Sequence, residues 1–296
     1  MSERSYTFRT IEHCDMCRAT DFKMLGMRLN ATQGLRPKSV SGIGISVKEC
    51  RACGLIFPDP QPIPASIQDH YGVPPEEYWH DFDFEEDPTY MAEEIAAAKR
   101  LLGFRQGMRA LDIGVGLGHM MRAMERAGFE AQGIEPSASF HARLDQTKVQ
   151  LATAEDAEFL PNSFDFITFG AVLEHLYSPS LAIERALVWL KPGGVIHVHV
   201  PSSKHLIAKL INLFYRLRGT NYITHLSPMH LPYHLYEFDV ESFRRNGRLL
   251  GYEVAQVDHE VCVVSHVPAP LVPAFRLYMD RTGKGMMFTA YLRKVA

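Results

Sequence analysis

The chain has 296 residues, 46% of them hydrophobic, which is ordinary for a globular protein and enough for one large domain plus a small one. Its 31 Lys and Arg are scattered among 34 Asp and Glu, for a net charge of −3, which disfavours a nucleic-acid partner. No run of 18 apolar residues occurs and the N-terminus has no apolar core of signal-peptide length, so a transmembrane segment is not expected and a cytoplasmic location is.

Two Cys-x-x-Cys knuckles come first, Cys14-Asp15-Met16-Cys17 and Cys50-Arg51-Ala52-Cys53, separated by 32 residues. Each can put two thiolates on one tetrahedral Zn²⁺, and four cysteines leave no open position for water, so the expected metal is structural. The segment between them is polar, with Gly34 at a turn and a β-prone GIGISVKEC run. It suits a zinc ribbon whose core is too small to hold without metal. A redox Cys-x-x-Cys would need a βαβ setting and a single motif. The ribbon is expected over residues 1–62.

Residues 63–108 read as linker and helix. Pro58, Pro60, Pro62 and Pro64 stiffen the connection, because each ring fixes φ and removes a donor. Tyr78 to Phe84 alternates aromatic and acidic side chains, either an interface segment or a substrate cage. Pro88 to Leu102 reads as a helix with Asp87 as N-cap, Pro88 at its first position and Gly103 after its end.

The stretch ALDIGVGLGH, Ala110 to His119, breaks an apolar strand into Gly114, Gly116 and Gly118 at a strand-to-helix turn, with the helix over Leu117 to Ala127. A dinucleotide fingerprint places Gly or Ala where this chain has His119. Asp112, just before the loop, would repel a pyrophosphate but suits the ammonium of a methionine-type ligand, which favours S-adenosylmethionine over NAD. Gly128 to Ile134 reads as the second strand and ends at Glu135, 135 − 114 = 21 residues past the first loop glycine, where a carboxylate can accept both ribose hydroxyls. A third strand ends near Ala152, and Asp156 follows it, placed to accept the adenine amino group.

Phe164 to Phe169 reads as the fourth strand, so Gly170 to His175 falls at the ligand crevice. His175 is the first candidate for general base, since an ordinary imidazole pKa near 6.5 suits proton removal at neutral pH. The alternative is that Glu174 and His175 only pack and bond the loop. Ser178 to Leu190 reads as a helix stopped at Lys191-Pro192-Gly193-Gly194, and Val195 to Val200 as the fifth strand. His197 and His199 share one face of it, either as satisfied sheet residues or as a metal pair. Lys204 to Arg218 carries a broad apolar stripe with basic residues elsewhere, which reads as a lid or pocket wall, or as a membrane-surface helix. Tyr222 to Phe238 gathers His225, His230, His234, Tyr222, Tyr233 and Tyr236 before a helix from Asp239 to Leu250. Tyr252 to Val264 and Met286 to Val295 supply the last strands, and Cys262 reads as a buried small apolar residue.

The motifs LDIGVGLGH, GIEPS, AEDAEFLPNSFDFITFGAVLEHL and LVWLKPGGVIHVHVPS, in that order over roughly residues 90 to 260, resemble the class I S-adenosylmethionine-dependent methyltransferases, and most nearly the ubiquinone-pathway-like small-molecule enzymes. The resemblance implies an α/β, Rossmann-like, doubly wound seven-stranded sheet over residues 109–296, with a substrate-side insertion at about 203–238. It implies cofactor contacts from Asp112, Gly114, Gly116, Gly118, Glu135, Pro136, Asp156, Ala157 and Phe169. It also implies that His230, Tyr233 and Tyr236 face a small-molecule acceptor, with His175 and His234 as the catalytic candidates. Similar ubiquinone-pathway and RNA-end enzymes hold a divalent metal on Glu-x-x-Glu-His, but Ala171 stands at the first glutamate here. CGLIFPDPQPIPASIQDHYG further resembles the zinc-ribbon methyltransferases, including sugar C-methyltransferases that carry a further C-terminal domain.

The reaction expected is methyl transfer from S-adenosylmethionine to a small molecule, as O-methylation in biosynthesis. The alternatives are C- or N-methylation of a sugar, lipid or natural-product intermediate, and a cofactor-binding or RNA- or protein-modifying protein whose ribbon recognises the partner.

Overall fold

The computed structural model describes residues 6–29, 43–66, 89–230 and 232–295. The expectations for Gly34, Tyr78 to Phe84, Asp87 and Pro88 lie outside the described residues. In the N-terminal part, β1 (Tyr6–Arg9), β2 (Phe22–Leu29), β3 (Gly44–Cys50), β4 (Ile56–Pro58) and β5 (Gln61–Pro64) make two small antiparallel sheets, β1 with β5 and β2-β3-β4. The proline-rich stretch expected as a stiff connector is paired, Pro58 with β3 and Pro62 and Pro64 with β1. Its prolines cost little at β5 because that strand has a neighbour on one side only.

Helix α1 (Ala92–Leu102) buries Ile95, Ala97 and Ala98, and Gly103 stops it with φ 58°. The main sheet then builds as β6 (Arg109–Ile113), α2 (His119–Arg126), β7 (Glu130–Glu135), α3 (Ala138–His141), β8 (Val149–Leu151), β9 (Phe164–Gly170), α4 (Pro179–Trp189) and β10 (Leu190–Pro201). Next come α5 (Leu206–Leu217), α6 (Val240–Leu250), β11 (Tyr252–Glu260), α7 (Val272–Thr282) and β12 (Met287–Lys294). The strand order is β11-β12-β10-β9-β6-β7-β8, parallel except where β12 runs against both neighbours. This is the expected α/β, doubly wound, seven-stranded sheet.

Its central strands are apolar on both faces, as a sheet covered on both sides requires: Leu111, Phe164, Phe166, Ile167, Phe169, Ile196 and Val198 are all buried. The fifth strand starts earlier than expected, because Lys191 to Gly194 bulges the pairing with β9 between Leu190 and Val195 rather than ending the helix before a fresh strand. His197 and His199 are sheet residues with partners: His197 Nδ1 lies 2.8 Å from Thr168 Oγ1, and His199 Nε2 lies 3.0 Å from Glu260 Oε2.

The N-terminal sheets share the core of the main domain. Cys14, Met16, Cys53, Leu55 and Phe57 pack in one cluster with Leu235, Phe238, Phe243 and Phe288. Polar contacts fix the register of this packing. Ile56 and Glu237 exchange backbone hydrogen bonds of 2.9 and 3.1 Å, Ser242 Oγ donates to Cys53 O at 3.0 Å, and Asn246 Nδ2 donates to Met16 O at 3.0 Å. Buried groups of this kind are costly to leave unpaired, so the two parts hold each other in one arrangement.

Candidate functional site

A crevice opens at the C-terminal ends of β6, β7 and β9, where a doubly wound sheet places its ligands. It encloses about 880 Å³ of empty space, open mouth included, within the range of small-molecule and cofactor sites. Gly114 and Gly116 line one wall with φ of 76° and 56°. Gly114 needs to be glycine twice over: its φ is left-handed, and a Cβ there would sit 2.6 Å from Val172 Cγ2.

Glu135 ends β7 and is 5% exposed. Its Oε2 accepts from the Gly116 N–H and its Oε1 from the Ser137 N–H, both at 2.8 Å. The carboxylate is thus clamped with lone pairs to spare, the state that suits a pair of ribose hydroxyls. Burial raises its pKa against those two bonds.

Asp112 lies within β6 just before the loop, 2% exposed and outside the set of residues that line the crevice, with Oδ2 lacking a partner among the described residues. Burial, with Glu135 nearby, raises its pKa to about 7. An orphaned buried carboxylate oxygen is expensive unless something meets it, and a ligand ammonium is the group that would.

The remaining expected cofactor residues separate. Pro136 lines the crevice. Phe169 and Ala157 are buried in the core, and Gly118 caps α2 beside a neighbouring groove. Asp156 closes a turn, accepting from Thr153 Oγ1 at 2.9 Å, while Thr153, Ala154 and Glu155 line the crevice. Sequence reasoning did not single out Glu155, Ser137, Phe140 or Tyr177, although Ser137 closes the GIEPS motif and Glu155 adjoins the acid that was chosen.

Ala171, Val172, His175, Leu176 and Tyr177 also line the crevice, with Val172 against Gly114. His175 belongs to a short 3₁₀ turn, Leu173–His175, whose carbonyl at Glu174 receives the N–H groups of Leu235 and Tyr236 at 2.7 and 3.2 Å. That pairing brings the His234 ring to 4.9 Å from the His175 ring, edge to face. The two expected catalytic histidines, far apart in sequence, are therefore neighbours.

Burial lowers the pKa of His175 to about 4 and that of His234 well below the usual imidazole value. Both are neutral at pH 7, but His175 is a weaker base than its ordinary pKa suggested. Glu174, 1% exposed, is pushed by burial up to about 7. Ligand atoms of Glu174, His175 and His234 lie within 4.8 Å of one another, so His234 adds a donor where Ala171 lacks one.

The other expected acceptor residues turn elsewhere. His230 Nε2 is 3.2 Å from Arg28 Nη2. Tyr233, 4% exposed, turns the chain at φ 62°. Tyr236 sits behind the wall, where its OH receives Gln61 Nε2 at 3.0 Å and donates to Tyr177 O at 3.2 Å.

A second cluster lies in the N-terminal part. Cys14 Sγ and Cys53 Sγ are 3.5 Å apart, and Cys17 Sγ and Cys50 Sγ 3.6 Å. A disulfide would be about 2.05 Å, whereas sulfurs around a tetrahedral zinc at about 2.3 Å stand roughly 3.8 Å apart. All four thiols lie within 4.8 Å of one another.

The sheet order, a glycine loop with His119 in the dinucleotide's third place, and a clamped acid at the end of β7 together agree with the expected methyltransferase domain. The chain belongs to the methyltransferase-domain family, whose model matches residues 84–257, more than half of it. A ubiquinone biosynthesis O-methyltransferase of Nitrobacter winogradskyi is 35% identical over 105 residues, 33% of this chain and 40% of that protein. One from Ralstonia nicotianae is 27% identical over 158 residues, 49% of this chain and 60% of that protein. The chain thus spans about 40 to 60% of these curated relatives. The crystal structure of an S-adenosylmethionine-dependent methyltransferase from Archaeoglobus fulgidus matches with a TM-score of 0.50 at 14% identity, over 70% of this chain and 92% of that one, a likeness of fold. Among the described residues no helix is long and apolar enough to cross a membrane.

Proposed function

We propose that the chain methylates a hydroxyl of a small molecule. The observation that carries this reading is the crevice itself, lined by Gly114, Gly116, Glu135 and His175, with the His234 ring against that of His175. In this reading Glu135 binds the ribose, Asp112 meets the methionine ammonium, and Thr153 to Glu155 face the adenine. The cofactor supplies an electrophilic methyl group. The chain positions the acceptor in line with it, and near-attack positioning contributes on the order of 7 to 11 kcal/mol. His175, neutral at working pH, takes the hydroxyl proton, and His234 orients the acceptor. The names of the curated relatives support oxygen as the attacking atom.

In the same reading Cys14, Cys17, Cys50 and Cys53 hold one structural Zn²⁺, and unbridged thiols this close fit a reducing, cytoplasmic setting. A second reading of the catalytic end has Glu174, His175 and His234 hold a divalent cation, favoured by their three converging ligand atoms. There the cation would supply Lewis acidity beside the acceptor hydroxyl.

The acceptor class is tested by the product. With methyl-labelled S-adenosylmethionine and a metabolite extract, the label should enter small molecules as a methyl ether identified by mass spectrometry. Label in protein or RNA, or on carbon or nitrogen, would sink this reading.

A further inference from the structure

Helix α5 carries two apolar faces and buries one of them. Ile207 packs with Val261, Val264 and Met279, flanked by Ile211 and Phe275. Leu210, Leu213, Phe214 and Leu217 remain 41%, 48%, 47% and 78% exposed. At about 100° per residue these four fall within an arc of about 100°, so they form one stripe rather than scattered apolar residues. Lys209 and Arg216, both exposed, occupy the adjoining arc, and the Arg218 guanidinium lies 5.9 Å from the Phe214 ring. No Asp or Glu occurs between Glu184 and Glu237, a stretch that contains Arg185, Lys191, Lys204, Lys209, Arg216 and Arg218.

Beside the stripe, Lys23, Ser203, Lys209, Leu213 and Arg216 line a groove between α5 and the N-terminal part. Ser203 is 1% exposed and its hydroxyl has no partner among the described residues. Glu49 also lines the groove, 3.9 Å from Lys23, so the groove holds three cations to one anion.

We propose that this face docks on an anionic phospholipid bilayer, the stripe entering the interface while Lys23, Lys209 and Arg216 meet headgroup phosphates. Apolar insertion and cationic attraction add in such helices. A second copy of the chain fits less well, because a two-fold contact would bring Lys209 and Arg216 near their own counterparts. Docking would also bear on the acceptor side. Asn212 Oδ1, on α5, accepts from Thr224 N–H at 2.9 Å and from Thr224 Oγ1 at 3.1 Å, tying the helix to the segment that leads to His234.

Co-sedimentation of the full chain with vesicles tests this without knowledge of the methyl acceptor. The protein should pellet with phosphatidylcholine vesicles containing about a third phosphatidylglycerol, pellet poorly with phosphatidylcholine alone, and release as salt rises. Leu213→Glu with Phe214→Glu should abolish pelleting, and Arg216→Glu with Arg218→Glu should weaken it at least about tenfold. Both variants change exposed side chains and should keep wild-type S-adenosylmethionine affinity, which reports an intact fold. Absence of binding to anionic vesicles, equal binding to neutral ones, or unchanged binding by the stripe variant would overturn the proposal. So would a wild-type protein that ignores vesicles and instead dimerises or binds an acidic protein through this face.

Discussion

His175→Asn should lower kcat by about 10² to 10⁴ with S-adenosylmethionine affinity nearly unchanged, whereas His234→Asn should mainly raise the acceptor KM. The contrast follows from the geometry: His175 lines the crevice and His234 touches it from behind. Burial holds His175 at about 4, so the imidazole is already free of its proton across neutral pH. Its protonation, and the loss of base activity that follows, should come only as pH falls through about 4. Wild-type kcat should therefore lack a step near 6.5, and such a step would mean that acceptor binding hydrates the ring. Steady-state kinetics of both variants from pH 6 to 9 checks the assignment. If both keep wild-type kcat, proton removal needs no histidine, and positioning alone or the cation-assisted reading takes over.

The second large effect is expected at the four cysteines. Cys50→Ser should remove the zinc, and with it a stabilisation on the order of 10 kcal/mol for the small sheets. The damage should then follow the contacts that join them to the main domain. The segment after α5 would lose the Ile56–Glu237 pairing, and α6 would lose the Ser242 bond to Cys53 O. Glu135 and the glycine loop are held by bonds to each other's strands and turns, Gly116 and Ser137 N–H to Glu135 and Gly114 N–H to Ile134 O, so S-adenosylmethionine should still bind while turnover falls. Metal analysis of the wild type should find one Zn²⁺ per chain. Hydrogen exchange in the variant should rise over residues 222–238 and stay low around Gly114 to Glu135. Purified wild type without zinc would remove the metal from the account.

Most of the sheet was legible because its strands are short apolar runs that stop at a polar residue or a glycine, such as Glu135 and Gly170. Glu135 was identifiable by its distance from Gly114, since a crossover of that length returns the chain to the same edge of the sheet. Asp156 illustrates the limit. A turn can present either of two adjacent acids, and here Asp156 accepts from Thr153 Oγ1 while Glu155 lines the crevice. The basicity of His175 was likewise out of reach, because it depends on burial by segments distant in sequence. Tyr236 and His230 read as acceptor contacts because aromatic and imidazole groups cluster there. Their partners, Gln61 and Arg28, come from the N-terminal part, and no local pattern announced that this part would pack against the insertion.

The central claim is that the crevice beside Glu135 is the S-adenosylmethionine site, and calorimetric titration of wild type and Glu135→Ala tests it most directly. A carboxylate accepting two ribose hydroxyls contributes about 1.5 to 3 kcal/mol, so the variant should bind roughly 10- to 150-fold more weakly while staying folded, its melting temperature lowered only by the loss of the Gly116 and Ser137 bonds to the carboxylate. Equal affinity in the two proteins would remove Glu135 from the cofactor and contradict the account.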